Sequence, residues 1–167
     1  MLKNKLTCGV GMVEVLVALV VIGVGMLGIA SLYVTTLQAK TTAQSRMKAI
    51  NFAYDIADRI RANRAAGDTT GSSYVLAQAT TLSTPATNCV ETSSTTATIC
   101  TPAQMAANDL YLWDKLVTDQ VKGLPSAKRS ISFSVPTGTS PGVYTITIQW
   151  TEPNSSGTQS YSLEVQI

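Results

Sequence analysis

Histidine is absent from the 167-residue sequence, which removes the side chain most often used as a general base and as a metal ligand. No Ser/His/Asp or Cys/His catalytic set can therefore be assembled. Charged residues are also scarce, at 13% against a usual share of about 25%. The net charge of +2 is too small to indicate a nucleic-acid partner. These absences favour a protein that is not an enzyme and that carries no metal or other cofactor.

Cysteine is limited to Cys8, Cys89 and Cys100, an odd number that leaves one thiol over. The imbalance disappears if Cys8 is removed with a processed N-terminal segment. Cys89 and Cys100 then fit a single disulfide formed in an oxidising compartment. In the chain-entropy picture, closing this short loop contributes about 3 kcal/mol to stability.

Charge is missing mainly from one long apolar segment near the N-terminus. Between Val10 and Val34 the sole charged residue is Glu14, and the next charge is Lys40. As a helix with a rise of ~1.5 Å per residue, this segment is roughly 37 Å long and can cross a hydrocarbon core of ~30 Å. Lys3 and Lys5 precede it, so we expect the short N-terminus to stay cytoplasmic and the rest of the chain to be exported.

The apolar segment does not match a secretory signal peptide, which has an apolar core of ~7–15 residues followed by a small-residue cleavage site. Here the run is longer and the glycine precedes it. A lipoprotein interpretation of Cys8 fails for the same reason. An ordinary membrane anchor is the remaining alternative. Glu14 disfavours that alternative. Insertion of a carboxylate into a bilayer costs at least ~2.5 kcal/mol, so a carboxylate that is present there is expected to be functional.

The segment Cys8-Gly9-Val10-Gly11-Met12-Val13-Glu14-Val15-Leu16 resembles the class III leader of type IV pilins and pseudopilins. That pattern has a short basic leader ending in glycine, a hydrophobic first mature residue and glutamate at mature position five. The resemblance implies that prepilin peptidase cuts between Gly9 and Val10 and that Val10 is N-methylated. It also implies that Glu14 pairs with the N-terminal amine of a neighbouring subunit and so sets subunit register. Val10 and Gly11 depart from the usual Phe and Thr or Ser.

A second motif in this segment, Gly23-Val24-Gly25-Met26-Leu27-Gly28, matches the G-x-G-x-x-G dinucleotide pattern. That pattern requires a preceding strand and a helix that starts at the glycines. Here the glycines lie within the predicted membrane helix, where small residues permit close helix packing. We therefore predict neither nucleotide nor cofactor binding.

The helix is predicted to continue past the membrane and to stop near Gly67. Its apolar residues recur at steps of three and four, which indicates one buried face. This predicted face consists of Met47, Ile50, Tyr54, Ala57 and Ile60. Charged residues near the helix end are interpreted as a solvated surface rather than as a DNA contact or a catalytic pair. They are Asp55, Asp58, Arg59, Arg61 and Arg64.

After a Ser/Thr-rich irregular region from Gly67 to Thr101, a second helix is predicted. Thr101, Pro102 and Gln104 form a start signal with a capping box. An apolar stripe follows and ends at Gly123 and Pro125. The stripe contains Ala106, Leu110, Trp113, Val117 and Val121.

Three β-rich segments complete the chain: Ser130–Pro136, Val143–Thr151 and Ser160–Ile167. Turn residues separate them, so we predict a three-stranded antiparallel meander. The fold class is α+β and pilin-like, with a long N-terminal helix packed on a small C-terminal antiparallel sheet. The predicted parts are a cleaved leader (1–9), a long helix (10–66, transmembrane to about residue 34) and a periplasmic globular domain (67–167).

Two internal motifs resemble the PilV-type minor pilins of type IV pili. They are Asp109-Leu110-Tyr111-Leu112-Trp113 with Leu124-Pro125, and Tyr144-Thr145-Ile146-Thr147-Ile148-Gln149-Trp150. The resemblance implies an inner-membrane subunit that enters the pilus, primes or caps its assembly and supports motility and adhesion. Its partners would be other minor pilins, the major pilin and prepilin peptidase, with no small-molecule substrate. The alternative is a minor pseudopilin of a type II secretion system. A tethered periplasmic enzyme is a third class, which the absence of histidine disfavours.

Overall fold

The computed structural model describes residues 9, 11–67, 72–78, 80–91, 96, 98–119, 121–135, 141–152 and 157–167. Its elements are, in chain order, α1 (Met12–Ala62), α2 (Arg64–Gly67), α3 (Pro102–Thr118), β1 (Lys128–Ser134), β2 (Val143–Thr151) and β3 (Thr158–Gln166). The chain divides into an N-terminal unit, Met1–Thr41, and a globular unit, Thr42–Ile167. The predicted α+β arrangement, a long N-terminal helix with a small antiparallel sheet, is confirmed.

The sheet has the order β1-β2-β3 with both pairs antiparallel. In the central strand, alternate side chains are buried and face the helices, because successive residues of a strand point to opposite faces. These buried residues are Tyr144, Ile146, Ile148 and Trp150. β1 lies two residues earlier than predicted, β3 begins two residues and ends one residue earlier than predicted, and β2 has the predicted bounds. Pro136, Gly138 and the turn at 153–156 lie outside the described residues.

The face of α1 that packs in the globular unit differs from the predicted one. Ala57 and Ile60 are fully buried as expected, but Met47, Ile50 and Tyr54 are exposed. The buried face is instead lined mainly by small side chains. It consists of Ser45, Ala49, Ala53, Ile56, Ala57 and Ile60. The alanines permit close approach to neighbouring elements, so the larger side chains point outward.

Helix α3 begins as predicted and ends earlier. The Thr101 side chain accepts from the backbone of Gln104, and the Gln104 side chain accepts from the backbone of Thr101, which makes a capping box. Asp119 adopts an extended backbone, and its Oδ1 accepts hydrogen bonds from the backbone N–H groups of Val121 and Lys122. This Asx-type turn stops the helix at Thr118. Val121 is therefore 87% exposed rather than part of the core.

Part of the irregular region before α3 packs against the sheet. Leu76 forms a two-way backbone bridge with Ile131 of β1, with N–O distances of 2.9 and 2.8 Å. Arg129 donates to the carbonyl oxygens of Gln78 and Thr80. This segment therefore covers the outer edge of β1, which leaves β3 as the other edge of the sheet.

Candidate functional site

The N-terminal unit contains a helical segment without a protein partner among the described residues. Every described side chain from Gly11 to Lys40 is exposed. By length and composition α1 is able to cross a membrane, and none of its most apolar stretch is buried. The core helix of a soluble domain would bury such a stretch. Exposed apolar side chains on this scale indicate a lipid or protein environment around the segment.

Glu14 is the single carboxylate of this segment and lies in the first turn of α1. Gly11 starts the turn, because its carbonyl oxygen accepts hydrogen bonds from the backbone N–H groups of Glu14 (3.0 Å) and Val15 (3.3 Å). The Glu14 side chain is exposed and makes no ion pair within the part of the chain that the structure describes. The positive end of the helix dipole favours a carboxylate here, but in hydrocarbon the group still needs a proton or a cationic partner.

The predicted processing site is described only in part. Gly9 is exposed, and nothing lies within 4 Å of the position that a side chain would occupy there. Val10 and Cys8 lie outside the described residues.

The glycine pattern that resembles a dinucleotide fingerprint lies in the interior of α1. Gly23, Gly25 and Gly28 are all helical, and a side chain at any of them would meet nothing within 4 Å. A dinucleotide fingerprint instead requires a strand that ends at the glycines and a helix that starts there. This geometry is incompatible with phosphate binding at these glycines.

In the globular unit, Arg59 is not the solvated charge expected from the sequence. Its side chain is 28% exposed and lies between two carboxylates, with Nε 3.2 Å from Asp55 Oδ1 and Nη1 3.3 Å from Asp109 Oδ1. Burial alone lowers the pKa of Arg59, but the hydrogen bonds and charges of the two aspartates outweigh burial and raise it. The expectation of a solvated surface holds for Arg61 and Asp58, which form an exposed ion pair.

Asp109 also accepts a hydrogen bond of 2.6 Å from the hydroxyl of the fully buried Tyr74. Burial, followed by the hydrogen bond to Asp109, raises the pKa of Tyr74 above its ordinary value. Asn63 donates to the same hydroxyl and to the carbonyl oxygen of Pro102. This network joins the end of α1, the segment after α2 and the start of α3.

The remainder of the Asp109–Trp113 motif anchors α3 in the core. Trp113 is fully buried, and its indole N–H donates to the carbonyl oxygen of Phe52 in α1 at 2.8 Å. Leu110 is buried in the same core. The motif therefore has a structural explanation, since Asp109, Leu110 and Trp113 hold α3 against α1.

A buried ion pair links α3 to the sheet, and sequence reasoning missed it. Arg129 Nε lies 2.6 Å from Asp114 Oδ1, with the side chains 8% and 12% exposed. The available sequence signal was a charged residue within each of two apolar patterns: Asp114 directly follows Trp113, and Arg129 lies two residues before Ile131. Sequence alone does not pair residues that lie so far apart in the chain.

At the start of the globular unit, Glu152 is buried beside the first residues that α1 contributes to it. Its Oε2 accepts from the hydroxyl of Thr42 at 3.4 Å, and its Oε1 lies 3.8 Å from Arg46 Nε. Lys48 Nζ donates to the carbonyl oxygen of Gly123 at 3.3 Å. These contacts hold α1 to the end of the sheet and to the loop after α3.

Cys89 and Cys100 are joined by a disulfide, with a Cα–Cα distance of 5.7 Å. The loop that it closes is also hydrogen-bonded, since Thr98 N donates to Asn88 O and Asn88 Nδ2 donates to Val90 O. No cluster of three or more Cys, Asp or Glu that is able to hold a metal ion occurs within the described ranges.

Residues 31–111 match the Tt1218-like family model, described as type IV pilin Tt1218. The match covers somewhat less than half of the chain and includes the part of α1 that lies in the globular unit, the disulfide and the first part of α3. It supports a type IV pilin. Comparisons with curated proteins and with solved structures gave no significant match.

Type IV pilins are structural subunits that assemble with other pilins in a pilus, and the family is not known as enzymatic. A long exposed apolar helix fits a membrane-anchored pilus subunit.

Proposed function

We propose that the chain is a minor pilin of the PilV type, made as a precursor with a leader at residues 1–9. Prepilin peptidase cuts between Gly9 and Val10, and the new Val10 amine is N-methylated. The mature protein spans the inner membrane once, to about residue 34, with its globular unit in the periplasm. The observation that carries this proposal is an exposed apolar helix with one carboxylate in its first turn, joined to a globular unit with a pilin-like sheet.

In this proposal, Glu14 forms the contact that positions the subunit during pilus assembly. Its ionised carboxylate in hydrocarbon is strongly disfavoured without a partner. Cleavage ahead of Val10 creates a cationic amine on every mature subunit, and the amine of a neighbour can approach Glu14 when the helices bundle in the filament. Pairing neutralises both groups and fixes the axial position of one helix against the next. The subunit then leaves its membrane reservoir for the pilus at a defined register.

The globular unit is proposed to act at the priming or capping end, together with other minor pilins and the major pilin, in support of motility and adhesion. Two features of its interior support a recognition surface of fixed shape. The disulfide and its hydrogen bonds restrain the loop before α3, and the Asp109 network holds that helix to α1.

The test of the proposal compares pili and membranes from cells that carry Glu14→Ala or Glu14→Val. Both variants should be exported, processed and folded, yet should be lost from sheared pili, because the amine of the neighbour has no carboxylate to pair with. Val15→Ala is the matched control. The Val15 side chain is adjacent to Glu14 and exposed like it, but it carries no charge. Quantification of the subunit in the pilus and membrane fractions provides the readout. Wild-type amounts of Glu14→Ala in sheared pili would exclude the register contact.

A deletion strain tests the broader assignment. Loss of surface pili with secretion unchanged is expected for a minor pilin. The opposite result, normal pili with impaired export of secreted enzymes, would instead identify a pseudopilin of a type II secretion system.

A further inference from the structure

One end of the globular unit, at which the chain enters it, carries a group of exposed basic side chains. We call it the entry end and define it by residues 42–48, residues 119 and 121–127 after α3, Lys128 at the start of β1, and Glu152. Three contacts bring these segments together: Thr42 with Glu152, Lys48 with Gly123, and Thr151 N with Pro125 O at 3.1 Å.

The exposed charges of the entry end are predominantly cationic. The Arg46 side chain is 59% exposed, and Lys122 and Lys128 are exposed. Lys128 belongs to this end because it pairs with Gln149, the residue before Trp150 at the same end of the sheet. Of the acidic groups, Asp114 and Glu152 are buried beside arginines.

Asp119 is the exposed acid at this end among the described residues, and its carboxylate accepts from the backbone N–H groups of Val121 and Lys122. The hydrogen bonds from the backbone N–H groups of Lys122 and Val121, followed by the charges of Lys122 and Lys48, lower the pKa of Asp119. The turn that they form presents Val121, 87% exposed, directly beside Lys122. An exposed aliphatic side chain next to lysines is the composition of protein surfaces that lie in a lipid headgroup layer.

We propose that the entry end docks on anionic lipid headgroups of the membrane that holds α1, with Lys122 and Lys128 near lipid phosphates and Val121 in the headgroup layer. The proposal rests on the membrane placement in the proposed function. Only about 12 Å of helical chain separates the predicted end of the span near Val34 from Thr42. The headgroup layer and the Debye length of roughly 8 Å bridge most of that distance. Docking would hold the globular unit at the membrane surface until the subunit enters a pilus.

The size of the effect follows from the charge count. Each lysine close to an anionic membrane surface changes the docked-to-free ratio by about fivefold. Neutralisation of both Lys122 and Lys128 should therefore lower the ratio by about 30-fold. A rise in ionic strength to ~1 M shortens the Debye length to about 3 Å and should release the wild-type unit.

The experiment measures hydrogen–deuterium exchange of the peptide covering residues 119–128 in the full-length protein. The protein is reconstituted in nanodiscs of phosphatidylcholine alone or of phosphatidylcholine with phosphatidylglycerol. Wild-type exchange in this peptide should be at least about fivefold slower in the anionic discs, and salt should abolish the difference. The Lys122→Gln/Lys128→Gln variant should exchange at the neutral-lipid rate in both kinds of disc.

The matched control is Arg61→Gln/Arg64→Gln, which removes the same charge from exposed positions at the other end of the helix that α1 contributes to the unit. It should retain the lipid-dependent protection. Equal wild-type rates in the two lipids, or an equal loss of protection in the control variant, would refute docking on lipid. Protection that requires added pilin subunits would assign the surface to a protein neighbour and also refute it.

The outcome for docking is separable from that for the proposed function. Wild-type protein that enters sheared pili but shows no lipid-dependent protection would remove the docking proposal alone. Lipid-dependent protection of a protein that never enters pili would leave docking in place and remove the pilin assignment.

Discussion

The Asp114–Arg129 ion pair offers a quantitative test of how α3 is held to the sheet. Its side chains are 12% and 8% exposed, so replacement of one partner leaves the other charge largely buried. Asp114→Leu should therefore cost about 3–5 kcal/mol of unfolding free energy. Arg129→Met should cost at least as much, because the carbonyl oxygens of Gln78 and Thr80 lose a donor as well.

The double variant Asp114→Leu/Arg129→Met separates the pair from its individual charges. An apolar pair of similar volume needs no desolvation of charge, and such replacements in other proteins are often neutral or stabilising. The lost hydrogen bonds to Gln78 and Thr80 should leave a residual cost of about 1–2 kcal/mol. The double variant should therefore be more stable than either single variant by about 2 kcal/mol or more.

Urea unfolding followed by tryptophan fluorescence measures this cycle. Both tryptophans of the chain, Trp113 and Trp150, are buried in the globular unit, so their emission reports its unfolding. With a slope of about 2 kcal/mol per molar urea, each single variant should lower the midpoint by about 1.5–2.5 M. The reasoning would be refuted if a single variant lost less than about 1 kcal/mol of unfolding free energy. It would also be refuted if the double variant were no more stable than the less stable of the two single variants.

Three further predictions concern processing, the disulfide and Tyr74. Gly9→Leu should leave an unprocessed precursor in the membrane, and mass spectrometry of the wild type should find a mature N-terminus at Val10; any other N-terminus contradicts the assigned site. Removal of the disulfide by Cys89→Ser/Cys100→Ser should cost about 3 kcal/mol in the same urea assay, and thiol labelling of non-reduced denatured protein should find neither cysteine free. Because the folded state raises the pKa of Tyr74 above its ordinary value of 10.0, its stability contribution is complete below about pH 10 and is lost as pH rises toward the folded pKa. Tyr74→Phe should therefore reduce the alkaline loss of stability, and equal pH slopes for wild type and Tyr74→Phe would contradict this explanation.

Local signals in the sequence were sufficient for the order of elements. The capping box at Thr101 places the start of α3 because its hydrogen bonds join residues three apart. The β-branched and aromatic pattern from Val143 to Thr151 corresponds to the observed bounds of β2. The lone Glu14 could be recognised without a structure. The sequence itself shows an apolar run long enough to cross a membrane, and a carboxylate within such a run is energetically unfavourable.

Helix orientation was less predictable. The periodicity at Met47, Ile50 and Tyr54 is genuine, yet these residues face outward and Ala49 and Ala53 face the core. Both faces of α1 carry apolar residues at helical spacing, and periodicity does not rank them. The face with small side chains is the buried one, because small side chains allow the helix to lie close to its neighbours. Similarly, Val121 fits the spacing of α3 but lies beyond the turn made by Asp119.

The sequence by itself determined the long apolar helix, the isolated carboxylate, the pairing of Cys89 with Cys100 and the α+β order, because each depends on residues close together in the chain. The tertiary structure alone decided which charges are partners: Arg59 with Asp109, Arg129 with Asp114 and Arg46 with Glu152. Arg59 and Asp109 are 50 residues apart in the chain, Asp114 and Arg129 are closer, and Arg46 and Glu152 are more distant. Folding of the chain therefore had to bring the two members of each pair together. A buried charge is stabilised only by a group that folding places beside it, and that placement depends on how α1, α3 and the sheet pack.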